Sequence, residues 1–153
     1  MSINTSTVGS QPAAGNAAVL AVGRLLLSLL FLVAGFGKLT DIAGTAGWFG
    51  SIGLPAPTVV AVLVGLLELV GGLAILVGFK ARIAALALAA FTVGATLIAH
   101  LDFADQVQQL MFLKNLSMAG GFLLLAAQGA GAWSLDARLE TPARRTPAVA
   151  HAA

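Results

Sequence analysis

The chain has 153 residues, of which 59% are hydrophobic and only 9% are charged, and its formal net charge is +2. A soluble domain carries about 25% charged residues, so this sequence lacks the polar shell that a soluble domain needs. The absence of Cys excludes disulfide exchange, thiol nucleophiles and thiolate-bound metals, and the scattered basic residues form no patch for nucleic acid. This composition predicts an integral membrane protein whose partner is the lipid bilayer.

Four apolar segments follow a polar stretch, residues 1–16, for which we predict a disordered N-terminal tail. Each segment is close to the roughly 20 residues with which a helix crosses the hydrocarbon core. They cover residues 17–36, 58–78, 83–99 and 110–128. Backbone groups find no partners in hydrocarbon, so helices are the expected form. We therefore predict an all-α fold, a polytopic four-helix transmembrane bundle within residues 17–135.

The links between the spans also carry structural signals. The first link contains Trp48 and Phe49 among glycines, and aromatic residues favour the membrane interface, so we predict a short interfacial helix near residues 42–52. The link 79–82 is so short that the second and third spans must be antiparallel neighbours. Residues 136–153 are polar and contain Pro and Arg, which predicts a disordered C-terminal tail.

Basic residues predict the orientation of the bundle. With four spans, both termini and the second link share one side, which holds Lys80, Arg82, Arg138, Arg144 and Arg145. The opposite side holds Lys38, Asp41, Asp102 and Asp105. Because Lys and Arg near span ends stay in the cytoplasm, we predict that both termini are cytoplasmic.

Small and polar residues recur at helical spacing along one face of each span, which predicts the inner faces of the bundle. These faces comprise Arg24, Ser28, Phe31, Gly35 and Lys38 on the first span, Gly65, Glu68, Gly71 and Gly72 on the second, Ala85, Ala89, Thr92 and Thr96 on the third, and Lys114, Ser117, Gly121 and Gln128 on the fourth.

Charged residues inside the membrane cost at least about 2.5–3.5 kcal/mol and require an explanation. Arg24 and Glu68 are the predicted buried pair, which either fixes the helix register or serves a function. A second polar cluster is predicted near the outer surface, where it comprises Lys38, His100, Asp102, Lys114 and Asn115. Lys38 and His100 also fit ordinary helix-end residues.

No catalytic residue is assigned, but a carboxyl group can take up and release a proton, so Glu68 is the candidate proton carrier. The ligand-binding candidates are Arg24, Ser28, Lys38, Glu68, His100, Lys114 and Asn115. No metal site is expected, since the two His residues and the acidic residues show no metal-ligand spacing.

The chain resembles the DoxX family of small bacterial membrane proteins over about residues 23–129. The resemblance rests on a set of short motifs in order: Gly23-Arg24-Leu25, A-G-F-G-K-L at 34–39, G-L-P-A-P at 53–57, L-L-E-L-V-G-G at 66–72, Gly78, His100, and L-K-N-L at 113–116. It implies a four-helix fold in the bacterial cytoplasmic (inner) membrane.

Some members of this family are membrane subunits of a thiosulfate:quinone oxidoreductase, and others belong to assemblies against oxidative stress that have soluble redox partners. Nothing in this sequence points to thiosulfate. The resemblance and the buried charges together favour a redox-associated subunit that binds a quinone, or another small apolar molecule, within the bundle. Electrons would come from a partner protein or a bound cofactor.

Two other functions stay open. One is a non-enzymatic membrane scaffold for a soluble or membrane partner. The other is a small transporter, against which stand the low number of spans and the lack of a pair of broken helices.

Overall fold

The computed structural model describes residues 14–140, and all regular elements in that range are α-helices. They are α1 (Ala14–Thr40), α2 (Ile42–Ser51), α3 (Pro57–Val77), α4 (Ala81–Ala99), α5 (Gln106–Gln128) and α6 (Leu135–Glu140). By length and composition, α1, α3, α4 and α5 can each cross a membrane. The predicted fold class is therefore confirmed, including the short helix α2 between the first and second spans.

The four long helices form two tightly packed pairs. α1 packs mainly against α3, and α4 packs mainly against α5, while α3 also contacts α4 and α2 rests on α3. The turn between α3 and α4 is only three residues long and contains Gly78 and Lys80, both with positive φ. These two helices are therefore antiparallel neighbours, as the length of the link predicted.

Glycine allows α1 and α3 to approach closely. A Cβ atom on Gly35 would lie 2.5 Å from the backbone nitrogen of Leu69 and 2.8 Å from the carbonyl oxygen of Gly65. On α3, a Cβ atom on Gly72 would lie 3.2 Å from the backbone nitrogen of Leu32. Without a hydrophobic driving force between helices in lipid, such close backbone contact is a main source of helix association.

The core of the bundle is small and lies on the four inner faces. Phe31 of α1 and Phe122 of α5 meet edge to face with ring centroids 5.2 Å apart, and both rings are almost fully buried. Leu88 of α4 and Ile75 of α3 complete this cluster. The outer faces expose many Leu and Val side chains, which is the surface expected to face lipid chains.

The inner faces predicted for the first three spans are confirmed. The face predicted for the fourth span is right for Lys114 and Gly121, which are half-buried, and wrong for its other two residues. Ser117 and Gln128 are exposed, whereas Asn115 and Ala119 are buried on the inner side of α5. Small and polar residues occur all around this helix, so their spacing did not identify the side that packs. The packing of Phe122 against α1 fixes the rotation instead.

The polar C-terminal segment is also more ordered than predicted. Residues 136–140 were predicted to be disordered, yet they belong to α6, and residues 14–16 of the predicted N-terminal tail already belong to α1. Asp136 explains the order in α6, because its Oδ1 and Oδ2 accept hydrogen bonds from the backbone nitrogens of Lys80 (2.7 Å) and Ala81 (3.0 Å). The remaining residues of both predicted tails lie outside the described residues.

Candidate functional site

A cavity of about 440 Å³ lies in the half of the bundle that α2 covers, and we call it the α2 cavity. It is bordered by the second halves of α1 and α4 and by the first halves of α3 and α5. Most of its wall is apolar, and the largest of these side chains are Leu30, Phe31, Trp48, Phe49, Ile52, Leu54, Val60, Val64, Phe91, Ile98 and Met118. Its volume lies within the roughly 300–1,000 Å³ of small-molecule pockets.

Six polar side chains also line this cavity, and they come from four different helices or their ends. They are Lys38, Glu68, Thr92, His100, Lys114 and Asn115. The structure thus brings five of the seven predicted ligand-binding candidates to one cavity. These residues are far apart in the sequence. They converge here because α1 and α4 end, and α3 and α5 begin, on this side of the bundle.

Glu68 forms an ion pair with Lys38, and this corrects the predicted Arg24–Glu68 pair. The distance from Lys38 Nζ to Glu68 Oε2 is 2.7 Å. The reason is the position of Glu68 along the axis of α1. A Cβ atom on Gly35 would lie 3.0 Å from the Cβ of Glu68, so Glu68 is level with Gly35. Lys38 is one turn beyond that level, whereas Arg24 is eleven residues before it, about 16 Å along the axis.

Arg24 and Ser28 lie outside the α2 cavity. Arg24 is only 4% exposed, and its Nη2 donates a hydrogen bond to the backbone oxygen of Trp133, close to Gly78. Its Nε and Nη1 have no hydrogen-bond partner among residues 14–140. Ser28 is fully buried and donates to the Leu25 carbonyl at 3.0 Å. Arg24 thus lies at the end of the bundle that holds α6, and Ser28 is one turn further along α1.

The second predicted cluster is present except for Asp102. The cavity wall contains His100, Lys114 and Asn115 together with Lys38, but it does not include Asp102. His100 Nδ1 lies 2.6 Å from Gln108 Oε1, which holds the ring at the end of α4. Asp102 is exposed and accepts a hydrogen bond from the backbone nitrogen of Ala104. The side chains of Lys114 and Asn115 form no hydrogen bond or ion pair with any residue that the structure describes.

Sequence reasoning missed the contribution of α2 and of Thr92 to this site. Trp48 and Phe49 were predicted only as interfacial aromatics, yet both line the cavity, and Phe49 is 5% exposed. The position of α2 follows from Asp41, whose Oδ1 accepts from the backbone nitrogen of Gly44 at 2.9 Å and so begins the helix. An aromatic pair in a short helix between two spans is the signal that could have identified this part of the cavity wall.

The site has the composition of a pocket for an amphipathic molecule. Apolar and aromatic walls bind the body of a ligand, and a few polar groups at fixed positions orient its head. Within residues 14–140, no group of three or more His, Asp or Glu residues is placed to hold a metal ion. The arrangement can bind a small apolar molecule, orient its polar end and exchange a proton through Glu68.

The comparisons with known proteins agree with this architecture. The DoxX family model matches residues 19–101, which include α2 and the first three spans. Inner membrane protein YqjF of Escherichia coli is 49% identical over 75% of this chain and 87% of its own length. Inner membrane protein YphA of the same organism is 35% identical over 78% of this chain and 89% of its length.

A shorter match is to a Bacillus subtilis protein named "Putative oxidoreductase CatD", 33% identical over 51% of this chain and 57% of that protein. No solved structure matches the chain significantly. The family match covers more than half of the sequence, and YqjF matches over most of both chains. The chain belongs to the DoxX family.

Proposed function

We propose that this protein is a redox-associated membrane subunit that binds a quinone, or another small apolar molecule, in the α2 cavity. One observation carries the proposal: an apolar cavity of about 440 Å³ in the bundle has a partly buried ion pair, Lys38–Glu68, in its wall. Buried charges in membrane helices mark functional sites by default, because they are costly to retain. The name of the related Bacillus subtilis protein supports a connection with oxidoreductases.

The polar and apolar parts of the cavity have separate roles in this proposal. Phe31, Phe91 and Met118 contact the ring or chain of the ligand. Lys38 and Glu68 face its carbonyl or hydroxyl groups, and Glu68 exchanges protons with it. The chain contains no Cys, so in this proposal electrons pass between the ligand and a partner protein or its cofactor.

We further propose that the protein resides in the bacterial cytoplasmic membrane with both termini in the cytoplasm. Two of the related proteins are named inner membrane proteins. In this orientation Lys80, Arg82 and Arg138 lie on the cytoplasmic side, as the distribution of basic residues requires. The α2 cavity then lies in the outer half of the membrane.

The test is to extract small molecules that co-purify with the protein in mild detergent and to identify them by mass spectrometry. Gly94 lines the cavity, and a Cβ atom there would meet nothing within 4 Å, so Gly94→Leu adds volume to the cavity wall. Gly120 also has open space around it but is exposed and outside the cavity, so Gly120→Leu is the matched control.

A quinone that is present in wild type and in Gly120→Leu but depleted in Gly94→Leu supports the proposal. Equal amounts of quinone in all three samples would place its binding elsewhere, and its absence from all of them would contradict the proposal. If a protein partner co-purifies in stoichiometric amount instead, and still does so with the Glu68→Gln variant, the scaffold function is the better description.

A further inference from the structure

Two polar side chains in the wall of the α2 cavity are left without partners. Lys114 and Asn115, adjacent on α5, make no side-chain hydrogen bond or ion pair within residues 14–140. Asn115 is only 8% exposed, and both residues line the cavity. An ammonium group has three donors and no acceptor, and a carboxamide adds two donors. This part of the wall therefore presents mainly donors, and a ligand is needed to supply acceptors.

The charges in the cavity wall also favour a ligand that supplies acceptors. Glu68 is compensated by Lys38 at 2.7 Å, so that pair is neutral as a unit. Lys114 has no such counter-charge among the residues that line the cavity. The nearby acidic residues of the α4–α5 link, Asp102 and Asp105, are exposed and accept from backbone nitrogens of that link and of the start of α5. The half-buried Lys114 therefore adds one positive charge to the cavity wall without a lining carboxylate of its own, and a ligand of opposite charge would complement it.

The rest of the cavity excludes a small inorganic anion as the preferred ligand. Leu30, Phe31, Phe91 and Met118 line the same cavity, and the volume of about 440 Å³ accommodates a molecule of several rings or a branched chain. A hydrated anion would leave these walls without contacts. An apolar body with an acceptor head satisfies both parts of the site.

We propose that the α2 cavity selects ligands whose apolar body carries a single negatively charged oxygen group, and that Lys114 and Asn115 bind this group. The inference rests on the proposed function, since it names the ligand class for the same cavity. Two kinds of molecule share this chemistry: quinones with an ionised ring hydroxyl and apolar carboxylic acids. A neutral quinone offers acceptors but leaves the charge of Lys114 unbalanced.

Trp48 provides a specific probe of binding. The chain has two Trp residues, and only Trp48 is among those that line the cavity. Trp133→Phe retains the backbone carbonyl that accepts from Arg24, and it leaves Trp48 as the single fluorophore. Naphthoquinones quench Trp fluorescence, so the saturable part of the quenching reports occupancy of the cavity.

The experiment compares two naphthoquinones of similar size in a nonionic detergent at neutral pH. Hydroxynaphthoquinone, with its hydroxyl on the quinone ring, is an anion under these conditions, and methylnaphthoquinone is neutral. A charge-assisted hydrogen bond contributes enough for the anion to bind about tenfold to a hundredfold more tightly. Lys114→Met should reduce this ratio to about one, and Lys114→Arg should retain most of it.

Lys80→Met is the matched control, because Lys80 is exposed at the opposite end of the bundle and outside the cavity. It should leave the ratio unchanged. A thermal melt of each variant verifies that it is folded. Equal affinity for the two naphthoquinones in wild type, or a ratio that survives Lys114→Met, would overturn the inference.

A second pair of probes separates this inference from the proposed function. Naphthoic acid and naphthamide differ in charge but contain no quinone, and their binding is followed by the increase in melting temperature. If neither naphthoquinone binds but naphthoic acid stabilises the protein and naphthamide does not, the charge selection stands and the quinone function fails. If none of the four probes binds, both are overturned.

Discussion

The Nζ atom of Lys38, in the last turn of α1, lies 2.7 Å from Oε2 of Glu68 in the middle of α3. The carboxyl side chain is 7% exposed and that of the lysine 23%, so the glutamate depends on this partner more than the lysine does. The contact joins the two most closely packed helices and forms part of the wall of the α2 cavity. It therefore links the stability of the bundle to its candidate site.

Lys38→Met is expected to lower the free energy of unfolding by about 1–3 kcal/mol, because it leaves a buried carboxylate without its partner. Adding Glu68→Gln should recover part of this loss, since the uncompensated charge is then removed. Unfolding in mixed micelles, with helicity as the signal, measures the stability of Lys38→Met, Glu68→Gln and the double variant. The control pair is Arg24→Met with Glu68→Gln, whose effects should add, because these residues lie far apart. A double variant of Lys38 and Glu68 that is no more stable than Lys38→Met would contradict the pairing.

Gly35→Ala is expected to destabilise the bundle, because its Cβ would lie 2.5 Å from a backbone nitrogen of α3 and force α1 and α3 apart. Overpacking of this kind costs about 1–3 kcal/mol. Gly37→Ala, two residues along the same helix, meets nothing within 4 Å and should be neutral or slightly stabilising. The same unfolding measurement distinguishes them, and equal stability of the two variants would show that the close approach is absent.

Asp136→Ala is expected to destabilise the start of α4. The two carboxylate oxygens cap the backbone nitrogens of Lys80 and Ala81 from a distant part of the chain, and a lost cap costs about 0.5–2 kcal/mol. Hydrogen exchange should show faster exchange at these two amides and throughout α6. Glu140→Ala is the control, since Glu140 is exposed and makes no such contact. Unchanged protection of both amides in Asp136→Ala would exclude the cap.

Single cysteines test the proposed orientation, and the natural chain provides a background without Cys. Ser51→Cys at the end of α2 and Glu140→Cys at the end of α6 introduce thiols at exposed positions on opposite sides of the bundle. With cytoplasmic termini, a membrane-impermeant maleimide should label only Ser51→Cys in spheroplasts and both variants after lysis. Labelling of Glu140→Cys alone in spheroplasts would reverse the orientation.

The sequence by itself determined the elements and most of their inner faces. Long apolar segments specify helices because hydrocarbon leaves no other way to satisfy the backbone. Local spacing then identifies the packed side of a helix, as the burial of Phe31 and Ala85 illustrates. The same reasoning placed Lys38, His100 and Lys114 at one end of the bundle, where they line one cavity.

Only the tertiary structure decided which of these groups meet. The partner of Glu68 depends on the axial offset of α1 against α3, which the close approach at Gly35 fixes. The rotation of α5 and the docking of α6 through Asp136 also depend on contacts between distant segments. The physical reason is that helical periodicity is a property of neighbouring residues, whereas offset and rotation are set by the packing of whole helices against each other.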